Sequence, residues 1–317
     1  MTTEMNWVPE VASNFANQVD GVLWFITWIS IVFFVLITIL LVYFSFKYKR
    51  RTDNDETPHI TGNETLEIIW TIIPSALLMV IFVYGFVVYK DMRTPPGDAV
   101  EVSVTAKQWL WVFKYPNGQS TINELYVEHN RPVKMVMRAD DVLHSFYVPE
   151  FRVKQDVVPG MYTQLWFKPT KVGTYDLFCT EYCGSGHSEM LAKVYVMSPE
   201  AFTRWERGGD EEDSGVAAVA KSPEDLGADL YKNKGCNACH SIDGATGVGP
   251  TFKGLFGKNE PLQDGSTVLA DENYLRESIL IPQAKMVAGY APVMPSFKGL
   301  LKDEEVDAII AYIKTLK

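Results

Sequence analysis

A chain of 317 residues is long enough for about two domains, and its net charge of -10 sets nucleic acid aside as a partner, since no basic cluster interleaved with aromatics interrupts the acidic balance. The 47% hydrophobic fraction is concentrated in two blocks, and the four cysteines fall into two close pairs, Cys179 with Cys183 and Cys236 with Cys239. If both pairs are cofactor sites, no thiol remains for a disulfide.

The segment from Met1 to Asp20 carries Glu4, Glu10 and Asp20 but no Lys or Arg, so it lacks the basic start of a signal peptide, and the first apolar block is expected to stay in the membrane. Residues 22–46 and 68–89 each reach the length of about 20 residues that crosses a hydrocarbon core of about 30 Å. Lys47, Lys49, Arg50 and Arg51 follow the first block and should remain cytoplasmic, which puts the N-terminus and everything after Tyr89 outside. Residues 1–92 are therefore expected to be a tail and a transmembrane hairpin. In the second block Pro74 removes a helix hydrogen bond and predicts a kink, and Trp70 suits the membrane interface. Glu67 lies at the membrane edge, where it is either a solvated carboxylate favoured by the helix dipole or a group that faces water or protein for a purpose.

Past Pro95-Pro96-Gly97 the pattern shifts to short alternations. Val100, Val102 and Val104 alternate with Glu101, Ser103 and Thr105, and Val133, Met135 and Met137 with Lys134, Val136 and Arg138. Turn signals at Pro116-Asn117-Gly118, Pro159-Gly160 and Lys171-Val172-Gly173 separate further runs, so residues 93–203 read as a β-sandwich or barrel. Within them, Gln108-Trp109-Leu110-Trp111-Val112-Phe113-Lys114-Tyr115 places aromatics at alternate strand positions, a pattern that core packing explains by itself.

The stretch Cys179-Thr-Glu-Tyr-Cys-Gly-Ser-Gly-His-Ser-Glu-Met190 gathers two thiols, an imidazole and a thioether. Soft sulfur with imidazole favours copper over magnesium, calcium or manganese. His187 follows Cys183 closely, Met190 closes the loop, and His144 upstream is the candidate for a second imidazole. The cysteine spacing alone equally fits a disulfide, and Cys₂His₂ fits a structural zinc, although the neighbouring Met190 and Glu181 are not habits of zinc sites.

Residues 204–222, rich in Gly, Ser and acids, are expected to be a flexible linker. A second soluble domain over 223–317 opens with Ser222-Pro223-Glu224-Asp225, a helix start. Cys236-Asn-Ala-Cys239-His240 is then the attachment signature of a c-type haem, with His240 as proximal ligand. A redox C-x-x-C or half a zinc site needs neither the following His nor this context. Gly249-Pro250 can brace the proximal side, and either Met286 or Met294 can supply a distal sulfur. From Asp303 a final helix aligns Val306, Ile309, Ile310 and Ile313 on one stripe.

On these residues the sequence resembles subunit II of the haem-copper cytochrome c oxidases, and with the fused haem domain it is similar to subunit II of the caa-type enzymes. The resemblance implies a membrane protein of several domains: a two-helix transmembrane hairpin, a cupredoxin-like β-sandwich and an all-α cytochrome c domain. It implies a dinuclear copper centre, CuA, bridged by Cys179 and Cys183, with His144 and His187 on one copper each, Met190 as a weak ligand and the Glu181 carbonyl as another. In the family the carboxylate at the Glu181 position also reaches a magnesium or manganese ion at the boundary with subunit I.

Val293-Met294-Pro295-Ser296-Phe297 resembles small bacterial cytochromes c and favours Met294 as the axial ligand. Leu66-Glu67-Ile-Ile-Trp70 resembles the mouth of a proton path into subunit I, and Gln108-Trp109-Leu-Trp111 the aromatic segment whose first Trp lies at the surface where electrons arrive. Many members carry Arg where this chain has Met161, so any polar contact that an Arg would make toward subunit I is not carried over to this position. The implied role is electron transfer from an external donor, a soluble cytochrome, an iron–sulfur protein or a respiratory complex, through haem c and CuA to subunit I in a prokaryotic cell membrane, where dioxygen is reduced and protons are pumped. The alternative reading is a membrane-anchored copper carrier.

Overall fold

The computed structural model describes residues 8–56, 59, 61–208 and 221–317. They form two units, the stretch 14–94 and the remainder.

The first unit is a helical hairpin of α1 (Ala16–Lys47) and α2 (Glu64–Arg93). Both helices outrun the apolar blocks because polar residues continue the backbone ladder beyond them. Asn63 caps α2, its side chain accepting from Leu66 N at 3.1 Å, and Glu67 Oε1 accepts from Asn63 N at 3.4 Å. Pro74 sits inside α2. The helices meet edge to face at Phe25 and Tyr84, with ring centroids 5.9 Å apart. Phe34 and Phe46 are 71% and 72% exposed, and so are most apolar side chains of the pair, which suits a surface made for lipid or other membrane helices.

The second unit contains a sandwich of ten strands: β1 (Val100–Lys107), β2 (Leu110–Lys114), β3 (Ser120–Ile122), β4 (Glu124–Glu128), β5 (Val133–Ala139), β6 (His144–Val148), β7 (Val153–Val157), β8 (Thr163–Phe167), β9 (Gly173–Cys179) and β10 (Leu191–Met197). One sheet runs β3-β2-β1-β5-β8 and the other β4-β10-β9-β6-β7, with β1/β5 and β4/β10 parallel. The expected alternation is visible in β5, where Val133, Met135 and Met137 are buried between half-exposed or exposed neighbours. Trp111, Phe113, Phe146 and Phe167 fill the space between the sheets. Helix α3 (Pro199–Glu206) carries the sandwich domain past the expected limit at residue 203, because Phe202 and Trp205 are buried and Trp205 stacks on Tyr126 at 4.8 Å. Of the expected linker, residues 209–220 lie outside the described residues.

The C-terminal domain packs α4 (Pro223–Asn233), α5 (Glu272–Leu280) and α6 (Asp303–Thr315) around one apolar core. Ser222 caps α4, its hydroxyl accepting from Asp225 N at 3.1 Å. A Cβ on Gly227 would stand 2.0 Å from the Ala308 carbonyl oxygen, so only glycine lets α4 and α6 cross this closely. Val306, Ile309, Ile310 and Ile313 are buried as the stripe predicts. Beside its helices the domain carries one short antiparallel ribbon, β11 (Asn259–Pro261) with β12 (Thr267–Leu269). Its turn uses Gly265 at φ +85°. Leu110 and Ile122 of the sandwich belong to the same hydrophobic cluster as Leu230 and Ile309, so the two domains share a core.

Candidate functional site

Strand pairing builds the first site. Phe146 of β6 pairs with Cys179 at the end of β9, which brings His144, at the start of β6, beside the loop that carries the remaining sulfurs. The donor atoms of His144, Cys179 and Cys183 lie within 4.8 Å of one another. The thiols are free, with Sγ atoms 3.8 Å apart. Cys183 Sγ is 3.4 Å from His187 Nδ1 and 3.8 Å from Met190 Sδ, and Cys179 Sγ is 3.3 Å from the Glu181 carbonyl oxygen and 4.0 Å from His144 Nδ1. The structure thus brings together all six residues singled out in the sequence.

Electrostatics suit a cation at this point. Burial, with the Cys179 sulfur beside it, pushes the Cys183 thiol up to about 12. Burial also pushes Cys179 up, but its contacts with His144 and with nearby backbone groups outweigh this and hold it below the ordinary thiol value. Two thiolates in a water-poor pocket repel each other, and a soft metal removes that cost, so the donor set fits copper.

Two supporting residues carried no sequence signal that reading along the chain could use. Asp141 Oδ1 accepts from His144 Nε2 at 2.8 Å, fixing the tautomer that leaves Nδ1 facing the sulfurs. Gln108 donates its backbone N–H to Asp141 Oδ2 at 2.8 Å and its side-chain amide to the Cys183 carbonyl at 2.6 Å. Asp141 stands three residues before His144, a proximity that hints at pairing but says nothing of the bend that makes it.

The second site is a half-open, mainly apolar cleft in the C-terminal domain. Cys236, Cys239 and His240 form one wall, and Met286 and Met294 both reach the cavity. His240 Nδ1 donates to the Pro250 carbonyl at 2.7 Å, which leaves Nε2 as the free ligand atom. The imidazole stacks on Phe252 at 4.6 Å, and burial lowers its pKa and keeps it neutral. A Cβ on Gly249 would stand 2.5 Å from His240 Cε1, so glycine is what lets the chain pass behind the ring. Burial pushes the Cys236 and Cys239 thiols up to about 12 and about 11. Two protonated thiols, a neutral imidazole and an apolar cleft with thioethers in its lining fit a covalently attached haem.

Trp109 joins the two sites. Its indole N–H donates to the Cys183 carbonyl at 3.1 Å, and the same residue lines the C-terminal cleft together with Gln108 and Leu110. A Cβ on Gly186 of the sulfur loop would stand 2.5 Å from the indole ring, so the loop lies directly against it. Trp109 is only 6% exposed, lying between that loop and the C-terminal cleft. Trp111 is fully buried and packs edge to face on Phe146. Glu67 is exposed in the hairpin unit, in the capping contact described above, and Met161 is 54% exposed.

Residues 2–88 match the family described as cytochrome c oxidase subunit II, transmembrane domain; residues 120–197 match its periplasmic domain, and residues 224–317 match cytochrome c. Cytochrome c oxidase subunit 2 of Alkalihalophilus pseudofirmus is 32% identical over 298 residues, covering 91% of this chain and 83% of that protein. The subunit 2 of Synechocystis is 30% identical over 264 residues, covering 68% of this chain and 76% of that protein. Among solved structures, the periplasmic domain of subunit II of cytochrome oxidase from Bradyrhizobium japonicum shares 28% identity, covers 37% of this chain and 96% of its own, and has a TM-score of 0.35. The chain belongs to the cytochrome c oxidase subunit II family, carries a cytochrome c domain fused behind the sandwich, and is a membrane-anchored subunit of an oxidoreductase complex.

Proposed function

We propose that this chain receives electrons from an external donor at its haem domain and hands them, through the sandwich, to the haems of subunit I of a proton-pumping terminal oxidase. The observation that carries this order is Trp109, which lines the haem cleft while its indole N–H is bonded to the Cys183 carbonyl. When bound, haem c and a dinuclear CuA centre supply one-electron storage at two successive points.

The residues have distinct tasks. Cys236 and Cys239 would hold the haem covalently, and His240 and Met294 would supply the nitrogen and sulfur that ligate its iron. Cys179, Cys183, His144 and His187 would hold the copper, with the Met190 thioether and the Glu181 carbonyl as further donors, and the metal would supply one-electron redox chemistry. The Glu181 carboxylate would be free to hold a magnesium or manganese ion at the boundary with subunit I. Asp141 holds the His144 ring, and burial of Cys179, Cys183 and Met190 keeps water from rearranging as charge passes. Fusion of the haem domain replaces a diffusional encounter by a tethered one and raises its effective concentration beside the copper loop. Glu67 opens a proton path into subunit I from the cytoplasmic side, with the N-terminus and both soluble domains on the outer face of a prokaryotic cell membrane.

A metal count with optical and electron-paramagnetic-resonance spectra of the purified chain tests the reading. Two coppers sharing one unpaired electron, with one covalent haem per chain, are expected. One copper or none, with thiols that do not take part in redox change, would overturn it.

A further inference from the structure

The contact between the two soluble domains is held by a polar group gathered just before the haem attachment residues. Lys234 is only 6% exposed. Its ammonium lies 2.8 Å from Glu124 Oε2, on β4 of the sandwich, and 3.6 Å from Glu305 Oε1, in the first turn of α6. The flanking residues add two more ties across the boundary. Asn123 Nδ2 donates to the Asn233 carbonyl at 3.1 Å, and Asn237 Nδ2 donates to Glu189 Oε2 at 2.7 Å, next to Met190. Asn123 Oδ1 in turn accepts from Trp111 N at 2.8 Å, so the same amide is anchored in the strand that follows Trp109.

A buried ammonium is costly unless it is paired, and a pair of apolar side chains would hold two domains at least as well. What an ion pair adds is direction. The apolar part of the interface, Leu110 and Ile122 against the helical core, is attractive at many offsets. In the arrangement seen, Lys234 of the haem domain meets Glu124 of the sandwich while keeping Glu305 of its own domain, and the haem cleft opens onto Trp109.

We propose that Lys234 is a positioning residue whose pair with Glu124 sets the register of the haem domain on the sandwich, placing the cleft over Trp109 and closing that tryptophan to any other electron carrier. The inference rests on the relay reading for its consequence, but not for its geometry. Two readouts on the loaded, full-length chain keep the two apart: hydroxyl-radical oxidation of Trp109 followed by mass spectrometry, and the first-order rate of electron transfer from haem to copper after flash reduction.

Glu124→Gln is the primary variant, because it leaves the Lys234–Glu305 pair within the haem domain. It is expected to raise Trp109 oxidation several-fold and to slow the transfer roughly tenfold or more, the scale of truncating a buried interdomain pair. Lys234→Arg, which keeps a cation between Glu124 and Glu305, should retain much of the protection. Unchanged Trp109 protection in Glu124→Gln overturns the proposal. Lost protection with an unchanged transfer rate supports the docking role and tells against the relay.

Discussion

Replacing Gly249 by alanine isolates what holds His240 in place. The new Cβ would stand 2.5 Å from His240 Cε1 and 2.8 Å from Nδ1. The ring has little room to retreat, since Phe252 is stacked on it and the Pro250 carbonyl holds Nδ1 at 2.7 Å. Overpacking a tight site costs about 1–3 kcal/mol, and breaking the Pro250 bond adds about 0.5–1.5 kcal/mol. Against this, alanine restricts the unfolded chain and returns about 0.4–1 kcal/mol. The clash wins, leaving the domain about 2 kcal/mol less stable. For a domain of this size each kcal/mol lowers the melting temperature by roughly 4–8 °C, so a drop of roughly 8–16 °C is expected. The assay is thermal melting of the Soret circular dichroism of the full chain, with a denaturing gel to check that haem stays attached through Cys236 and Cys239. A melting temperature equal to or above the parent's would refute the reasoning, because it would mean that the ring has space and that Pro250 is not what fixes it.

Gly186→Ala pushes a methyl to within 2.5 Å of the Trp109 ring and should lift the indole off the Cys183 carbonyl. Copper content should stay the same while haem-to-copper transfer slows roughly tenfold, the factor that ~1.4 kcal/mol of barrier gives; an unchanged rate in flash photolysis would remove Trp109 from the route. Acid titration of the copper-free chain reports on Asp141. Partial burial pushes its carboxyl up, but the Gln108 and Val142 N–H groups and His144 outweigh burial and hold it below the usual 3.8. The stabilisation is complete above the unfolded value of about 3.9 and is lost as pH falls through the lower folded value. Asp141→Asn should therefore be less stable than the parent at neutral pH and lose less stability below pH about 4; parallel denaturation curves would show that the carboxylate contributes nothing.

Much of this protein is legible along the chain. The apolar runs of the hairpin, the alternation in β1 and β5, the Ser222-Pro223 helix start and the stripe from Val306 to Ile313 are local patterns, because each depends on the period of a single element. The sulfur loop and Cys-x-x-Cys-His are legible for the same reason: the groups that share a cofactor are near neighbours in sequence. His144 could be named only as the best upstream candidate, since its place beside Cys179 depends on pairing between β6 and β9.

What the tertiary structure alone decides is how distant segments meet. The tail of the sandwich continues as α3 because Trp205 finds Tyr115 and Tyr126, rings that lie far back in the chain. Gln108 and Asp141 become a brace for His144 and the sulfur loop only once the sheets have closed. Trp109 comes to lie between the sulfur loop and the C-terminal cleft, and Lys234 gains its two carboxylates from β4 and α6. The physical reason is common to all of them: a side chain's type is written in the sequence, but its burial and its charge partners are properties of packing, which no local period encodes.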